Sequence, residues 1–314
     1  MSTLPEATVS AESVDGAGRT RTLTVVHRPR PDASKVPVVL VLHGSMQTAS
    51  VIRSFTGNTL DRIGAQAGAV VAYLDGYKRH WNDARISNSS AARADHVDDV
   101  AFVKAAVDLL ERRYGGDRTQ VYAVGFSNGG QMVMRLIHEM PSALAGAAVL
   151  CATQTVPEDF GPDAPQEQPL PVLFVHGTKD PVTPYAGGMA KMWRFSPRGL
   201  GLSARDSAAY FAHRNGITAA ATTTRVTAPS AGPTWVERTD FRRHGHAPVT
   251  LYTVNEGGHS IPGPGRAAPA SSWAAPTAAS TPREPSASSS GSPPAAGRPE
   301  QRVGPMARHT SEAR

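Results

Sequence analysis

The chain has 314 residues, 40% of them hydrophobic, with 29 Gly, 26 Pro, one Cys and a formal net charge of +6. No apolar run approaches the eighteen residues that cross a bilayer, so no membrane partner is expected. A single thiol closes no intrachain disulfide and builds no multi-thiolate cluster, and the chain is expected to carry no metal and no cofactor. Half of the charge excess sits in the last 54 residues, which hold six Arg against three Glu, and the remainder has no Lys/Arg block interleaved with aromatics. No nucleic-acid partner is expected.

Met1 to Asp15 holds Glu6, Glu12 and Asp15 but no Lys, Arg or long apolar block. It lacks the character of a secretory signal. The expectation is a cytoplasmic chain with residues 1–20 as a flexible lead. Continuous, Val-rich runs follow at Thr22 to His27, Val36 to Leu42, Ala69 to Leu74, Gln120 to Val124, Gly146 to Cys151, Val172 to Val175 and Val249 to Val254. Runs of that kind read as strands buried on both faces of a mainly parallel sheet.

Helical patterns lie between them. They cover Thr59 to Ala67, Asp98 to Tyr114 with Gly115 as its stop, Asn128 to Glu139 ended by Pro141, and Ser203 to Asn215 closed by Gly216. In the second, Val103, Ala106, Val107, Leu110 and Tyr114 share one face, and Asp98 and Asp99 cap and charge its start. Strand and helix in alternation predict an α/β fold over residues 21–260. Residues 261–314 hold ten Pro with many Ala, Ser and Arg and no Leu, Phe or Tyr. Such a segment buries too little apolar surface to offset its ordering entropy and is expected to be disordered.

One stretch carries chemistry. Gln120-Val-Tyr-Ala-Val-Gly-Phe-Ser-Asn-Gly-Gly-Gln131 puts Gly125-x-Ser127-x-Gly129 between a predicted strand and a predicted helix. Glycine on both flanks permits a turn so tight that side chains would collide, and it lifts the Ser127 hydroxyl to the carboxyl edge of the sheet as a nucleophile. The helix behind it aims its first N–H groups at the same point, where negative charge is stabilised. Gly125, Gly129 and Gly130 do not fit a dinucleotide fingerprint, and no Lys follows for a phosphate loop.

A serine nucleophile needs an imidazole base and a carboxylate behind it. Among eleven His, His43 and His176 end predicted strands in His-Gly pairs and read as turn histidines. His259 follows the last strand across Asn255-Glu-Gly-Gly258, where glycines leave room for its ring. Asp180 lies on the loop past the Val172 strand. Ser127, Asp180 and His259 thus occur in the order Ser, Asp, His, each beyond a different strand. His43-Gly44-Ser45 follows the Val36 strand, so the Ser45 N–H and the Asn128 N–H are the expected oxyanion donors. Met46, Gln47, Trp81 and Tyr185 are candidates for substrate contact, with a packed anchor the equal alternative for Trp81. His244 and His246 have no third ligand in view, so no metal site is read there.

Leu42-His-Gly-Ser-Met-Gln-Thr48, Tyr73-Leu-Asp-Gly-Tyr77 with His80-Trp-Asn-Asp83, Asp98-Asp-Val-Ala-Phe-Val103, Gly125-Phe-Ser-Asn-Gly-Gly130, His176-Gly-Thr-Lys-Asp-Pro-Val-Thr-Pro-Tyr185 and Gly257-Gly-His259 together resemble the polyhydroxybutyrate depolymerase-like esterases, similar to feruloyl and acetylxylan esterases. The resemblance implies an α/β-hydrolase fold and a serine esterase acting on hydroxyalkanoate or other short-chain or aryl carboxylic esters. By motif it implies Ser127, Asp180 and His259 as its triad. Two departures stand out: the family continues past the His loop to an amphipathic helix, whereas Pro262-Gly-Pro-Gly265 leads here into the Pro-rich end, and many relatives are secreted. The alternatives are a catalytically silent binding protein on the same fold and a serine peptidase. The substrate is expected to be a small or polymeric ester. Sequence assigns no oligomeric state.

Overall fold

The computed structural model describes residues 7–29, 34–162, 167–192, 196–226 and 234–261. Their strands, in chain order, are β1 (Thr8–Gly16), β2 (Arg19–His27), β3 (Val36–Leu42), β4 (Val70–Leu74), β5 (Gly116–Phe126), β6 (Gly146–Leu150), β7 (Val172–Gly177), β8 (Gly188–Met192), β9 (Ser196–Gly201), β10 (Thr222–Arg225), β11 (Trp235–Phe241) and β12 (Val249–Asn255). The helices are α1 (Ala49–Phe55), α2 (Thr59–Ala67), α3 (Ala91–Ala94), α4 (Asp99–Tyr114), α5 (Asn128–Glu139) and α6 (Ala204–Arg214).

Ten strands form one sheet in the order β1-β2-β4-β3-β5-β6-β7-β12-β11-β10, and β8 and β9 pair separately. From β4 through β12 the pairings are parallel, and the outer pairs at both edges are antiparallel. The seven expected strands are all present and the expected α/β class holds. Pro37 lies within central strand β3, and the ladder to β5 shifts register between Val36 and Val38 to pass a residue that has no N–H to give.

Successive residues of a strand point to opposite faces, and β3 shows the result. Leu40 and Leu42 join a core that includes Val103 and Leu110 of α4, Met132 and Leu136 of α5 and Phe211 of α6. Val41 points the other way, into a cluster with Ile52 of α1, Tyr73 and Phe126. Helices therefore cover both faces, which is why the central strands read as unbroken apolar runs. Asp98 caps α4, accepting a hydrogen bond from the Ala101 N–H at 2.8 Å. Asp99 is different: it is buried and paired with Arg21 at 2.9 Å.

The lead is corrected. Residues 8–16 are not flexible but form β1, paired antiparallel to β2 through the two-residue turn Ala17-Gly18, both at positive φ. That geometry matches the strands' twist. Its hydrophobic signal is weak because Val14 alone in β1 is buried. The end expected to be disordered lies outside the described residues beyond Ile261. Among the described residues no helix is long and apolar enough to cross a membrane.

Candidate active site

Strand order reverses about β3: β4 lies on one side of it and β5 on the other, each reached by its own connection. Ligands bind outside the carboxyl ends of parallel strands at such a switch point. Here the loops after β3, β5, β7 and β12 carry Ser45, Ser127, Asp180 and His259 to that rim.

Ser127 stands at φ 54°, ψ −118° between β5 and α5. This strained conformation for a residue with a Cβ is held from both sides. The Ser127 N–H donates to Leu150 O at 2.8 Å, and Ser127 O accepts from the Gln131 N–H at 3.0 Å. A Cβ on Gly129 would lie 2.2 Å from Leu42 O, so helix α5 packs backbone to backbone against the end of β3. Glycine is required there by contact rather than by φ.

Ser127, His259 and Asp180 form one hydrogen-bonded line. His259 Nε2 is 2.9 Å from Ser127 Oγ, and His259 Nδ1 is 2.7 Å from Asp180 Oδ2. An ionised carboxylate only accepts, so the proton sits on Nδ1 and the Nε2 lone pair faces the serine hydroxyl. Asp180 is fixed in turn, for its Oδ1 accepts from the Val182 and Thr183 N–H groups at 2.8 Å each. Burial favours the neutral acid, but hydrogen bonding from His176 and His259 outweighs it and holds the Asp180 carboxyl well below the usual range. The His259 ring is backed by Phe126 at 5.0 Å between centroids.

His176 and His43 are turn histidines with defined partners. His176 Nε2 donates to Thr183 O at 2.8 Å and lies 3.4 Å from Asp180 Oδ2. His43 donates from Nδ1 to Gly44 O at 2.7 Å and accepts the Gly76 N–H at Nε2, 2.9 Å. Burial pushes its pKa down to about 4, so it is neutral as that pattern requires.

Ser45 and Asn128 line the same cavity as Ser127. Among the described residues, no backbone carbonyl takes either N–H. The cavity is about 40 Å³ and mixed in character, walled by His80, Arg85, Asn88, Gln131 and Thr183 together with Val182 and Ala190. None of these seven was singled out as a site residue, although His80, Val182 and Thr183 lie within the quoted motifs. Arg85 and Asn88 reach the cavity from the turn after Trp81, and Ala190 from the β8–β9 hairpin, which carried no strand signal.

The four expected substrate contacts sit elsewhere. Trp81 is fully buried, stacked on Phe102 and donating from Nε1 to His43 O at 2.8 Å, so it is the packed anchor. Gln47 is occupied within its own loop, accepting the Gly44 N–H at 2.9 Å. Tyr185 shares a hydrogen bond with Thr253 at 2.8 Å and packs on His176. Met46 is exposed at φ 63° beside Ser45. None of the four lines the cavity.

Donor atoms of Cys151, Asp180 and His259 lie within 4.8 Å of one another. Asp180 and His259 are spent on each other, and burial raises the Cys151 thiol well above its ordinary pKa, so it stays protonated and donates to Ser260 O. A metal needs the thiolate, and this set is better described as the hydrogen-bonded line with a core thiol behind it.

A family model described as phospholipase/carboxylesterase matches residues 67–194. The chain is 35% identical to the putative esterase NocK of Nocardia uniformis subsp. tsuyamanensis, over 58% of this chain and 52% of that protein. It is 33% identical to a poly(3-hydroxybutyrate) depolymerase of Ralstonia pickettii, over 46% of this chain and 31% of that one. It therefore spans about half or less of the length of these relatives. Among solved structures, the acetyl xylan esterase from Aspergillus awamori superposes with a TM-score of 0.55 over 80% of this chain and 94% of its own, at 13% identity. The resemblance to esterases read from the motifs holds.

Proposed function

We propose that this chain, which has the α/β-hydrolase fold, is a serine hydrolase of carboxylic esters. The observation that carries the reading is the line Ser127 Oγ, His259 Nε2 and Nδ1, Asp180 Oδ2 at 2.9 and 2.7 Å, with Ser45 and Asn128 lining the same cavity as Ser127. Ser127 Oγ attacks the ester carbonyl as its proton passes to His259 Nε2, and the Ser45 and Asn128 N–H groups hold the resulting oxyanion. The imidazolium then gives that proton to the departing alkoxide, leaving an acyl-serine. Water repeats the sequence, with His259 as base, to release the acid and restore the hydroxyl.

Cavity size supports a short acyl group. A water occupies roughly 10–15 Å³ of such space, so 40 Å³ seats a few water-sized groups: acetyl, or a short hydroxyacyl whose oxygen meets the polar side chains among the lining. The relatives named as a putative esterase and as a poly(3-hydroxybutyrate) depolymerase support ester hydrolysis.

The test is Ser127→Ala assayed on p-nitrophenyl acetate, butyrate and octanoate. Turnover is expected to fall by up to about 10⁶-fold in the variant, and the wild type is expected to favour the shortest ester. Retained hydrolysis in Ser127→Ala would remove the reading.

A further inference from the structure

Both proposed oxyanion donors are tied to one buried segment that touches no reacting atom. Asn128 lines the cavity and opens α5, while its side chain is held three times. Its Oδ1 accepts the Trp81 N–H at 2.9 Å, and its Nδ2 donates to Asp83 Oδ2 at 2.7 Å and to Trp81 O at 3.3 Å. The other donor, Ser45, follows His43-Gly44 on a different loop. That loop is held by the same segment, because Trp81 Nε1 donates to His43 O at 2.8 Å.

The segment is itself rigid. Trp81 and Asp83 have no exposed surface. Trp81 O also accepts from Asn88 Nδ2 at 2.9 Å, and Asp83 receives Arg85 through Nε at 2.9 Å and Nη2 at 2.5 Å. Between them, the Asn82 N–H is bound to buried Asp99 at 2.7 Å.

We infer that Trp81 and Asp83 are positioning residues that set the separation and aim of the two oxyanion donors, through His43 O on one side and the Asn128 side chain on the other. The physical reason is that a hydrogen bond weakens steeply with misalignment, and an oxyanion site gains from donors fixed before the charge appears. The two loops follow the paired strands β3 and β5 and meet where Gly129 packs on Leu42 O, and the buried segment adds a side-chain hydrogen bond to each. The inference rests on the serine-esterase reading.

The test uses variants that keep every backbone donor. Trp81→Phe removes the Nε1–H bond to His43 O and retains a ring to stack on Phe102. Asn128→Ala removes the side-chain clamp and retains the N–H. Each protein is titrated with a fluorophosphonate so that rates are counted per reactive serine. It is then assayed on p-nitrophenyl acetate and against a trifluoromethyl ketone, which adds Ser127 and presents an oxyanion to the same donors. Expected is a fall in kcat of about 10- to 100-fold in each variant, with KM nearly unchanged and the ketone's affinity falling in step with kcat/KM.

If kcat per titrated site and ketone affinity stay within about twofold of wild type in both, the inference is overturned; so it is if the only loss is in the titratable fraction. Wild type that neither labels nor cleaves the ester defeats the esterase reading and this inference with it. An active, labelled wild type with unaffected variants defeats the inference alone.

Discussion

Gly125 faces Gly129 across the turn at Ser127 so closely that a Cβ on Gly125 would stand 2.2 Å from the Gly129 carbonyl oxygen. The atom in the way is backbone of α5, which is itself pressed against Leu42 O, so it has nowhere to go. Gly125→Ala is expected to lower unfolding free energy by about 3 kcal/mol, the upper end for overpacking, and to displace Ser127 from His259. Urea unfolding together with fluorophosphonate labelling reads both effects. A variant with wild-type stability and labelling rate would show that the turn yields where the packing says it cannot.

Asp180 offers a sharper substitution, because its two oxygens do different work. Oδ1 accepts from two backbone N–H groups, so Asp180→Asn must keep its carbonyl oxygen on that side and turn its amide towards His259. The amide then donates to Nδ1, the ring proton moves to Nε2, and the lone pair facing Ser127 is lost. A drop in kcat of about 10⁴-fold is expected, with the fold intact because the turn bonds survive. Loss of less than about tenfold would mean that the carboxylate does not set the tautomer.

Stability should depend on pH through two buried imidazoles. Burial lowers His43 from 6.5 to about 4, and burial with the Arg214 charge does the same for His138. Both are protonated more readily in the unfolded chain. Their contribution is therefore whole above pH 6.5, is lost progressively as pH falls through the window to about 4, and is constant below. Each contributes a slope of about 1.4 kcal/mol per pH unit within that window. Asp180, lowered in the fold, adds to the loss at still lower pH.

His138 gives the control. Its ring packs among Phe160, Tyr210 and Phe211. His138→Phe should cost little at pH 7 and roughly halve the slope between pH 6.5 and 4. Denaturant midpoints that are flat across that interval in the wild type would contradict it.

The central strands were legible because helices cover both faces of the sheet: β4 is buried along its whole length, while β2 and β5 showed through their apolar C-terminal halves, Arg19, Thr20, Arg118 and Thr119 being exposed. β1 and β10 were not, since edge strands with one wet face carry little hydrophobic pattern: Val14 is the single buried side chain of β1, and β10 has none. The same contrast runs through the site. Ser127, Asp180 and His259 could be picked out because each follows a legible strand, and because glycines stand where backbone must touch backbone. Trp81, Gln47 and Tyr185 are polar-tipped side chains near those motifs in the chain, and proximity in sequence does not say which way a side chain points.

Local order along the polypeptide thus specifies which elements form and which residues stand at their ends, since apolar periodicity and turn chemistry act over a few residues at a time. Direction does not follow from it. The inward turn of the Asn128 amide, the small cavity walled by Arg85, Gln131 and Ala190, and the link of Trp81 to both loops arise from contacts between segments tens of residues apart. No short-range rule encodes them, and packing of the whole sheet and its helices brings them into being.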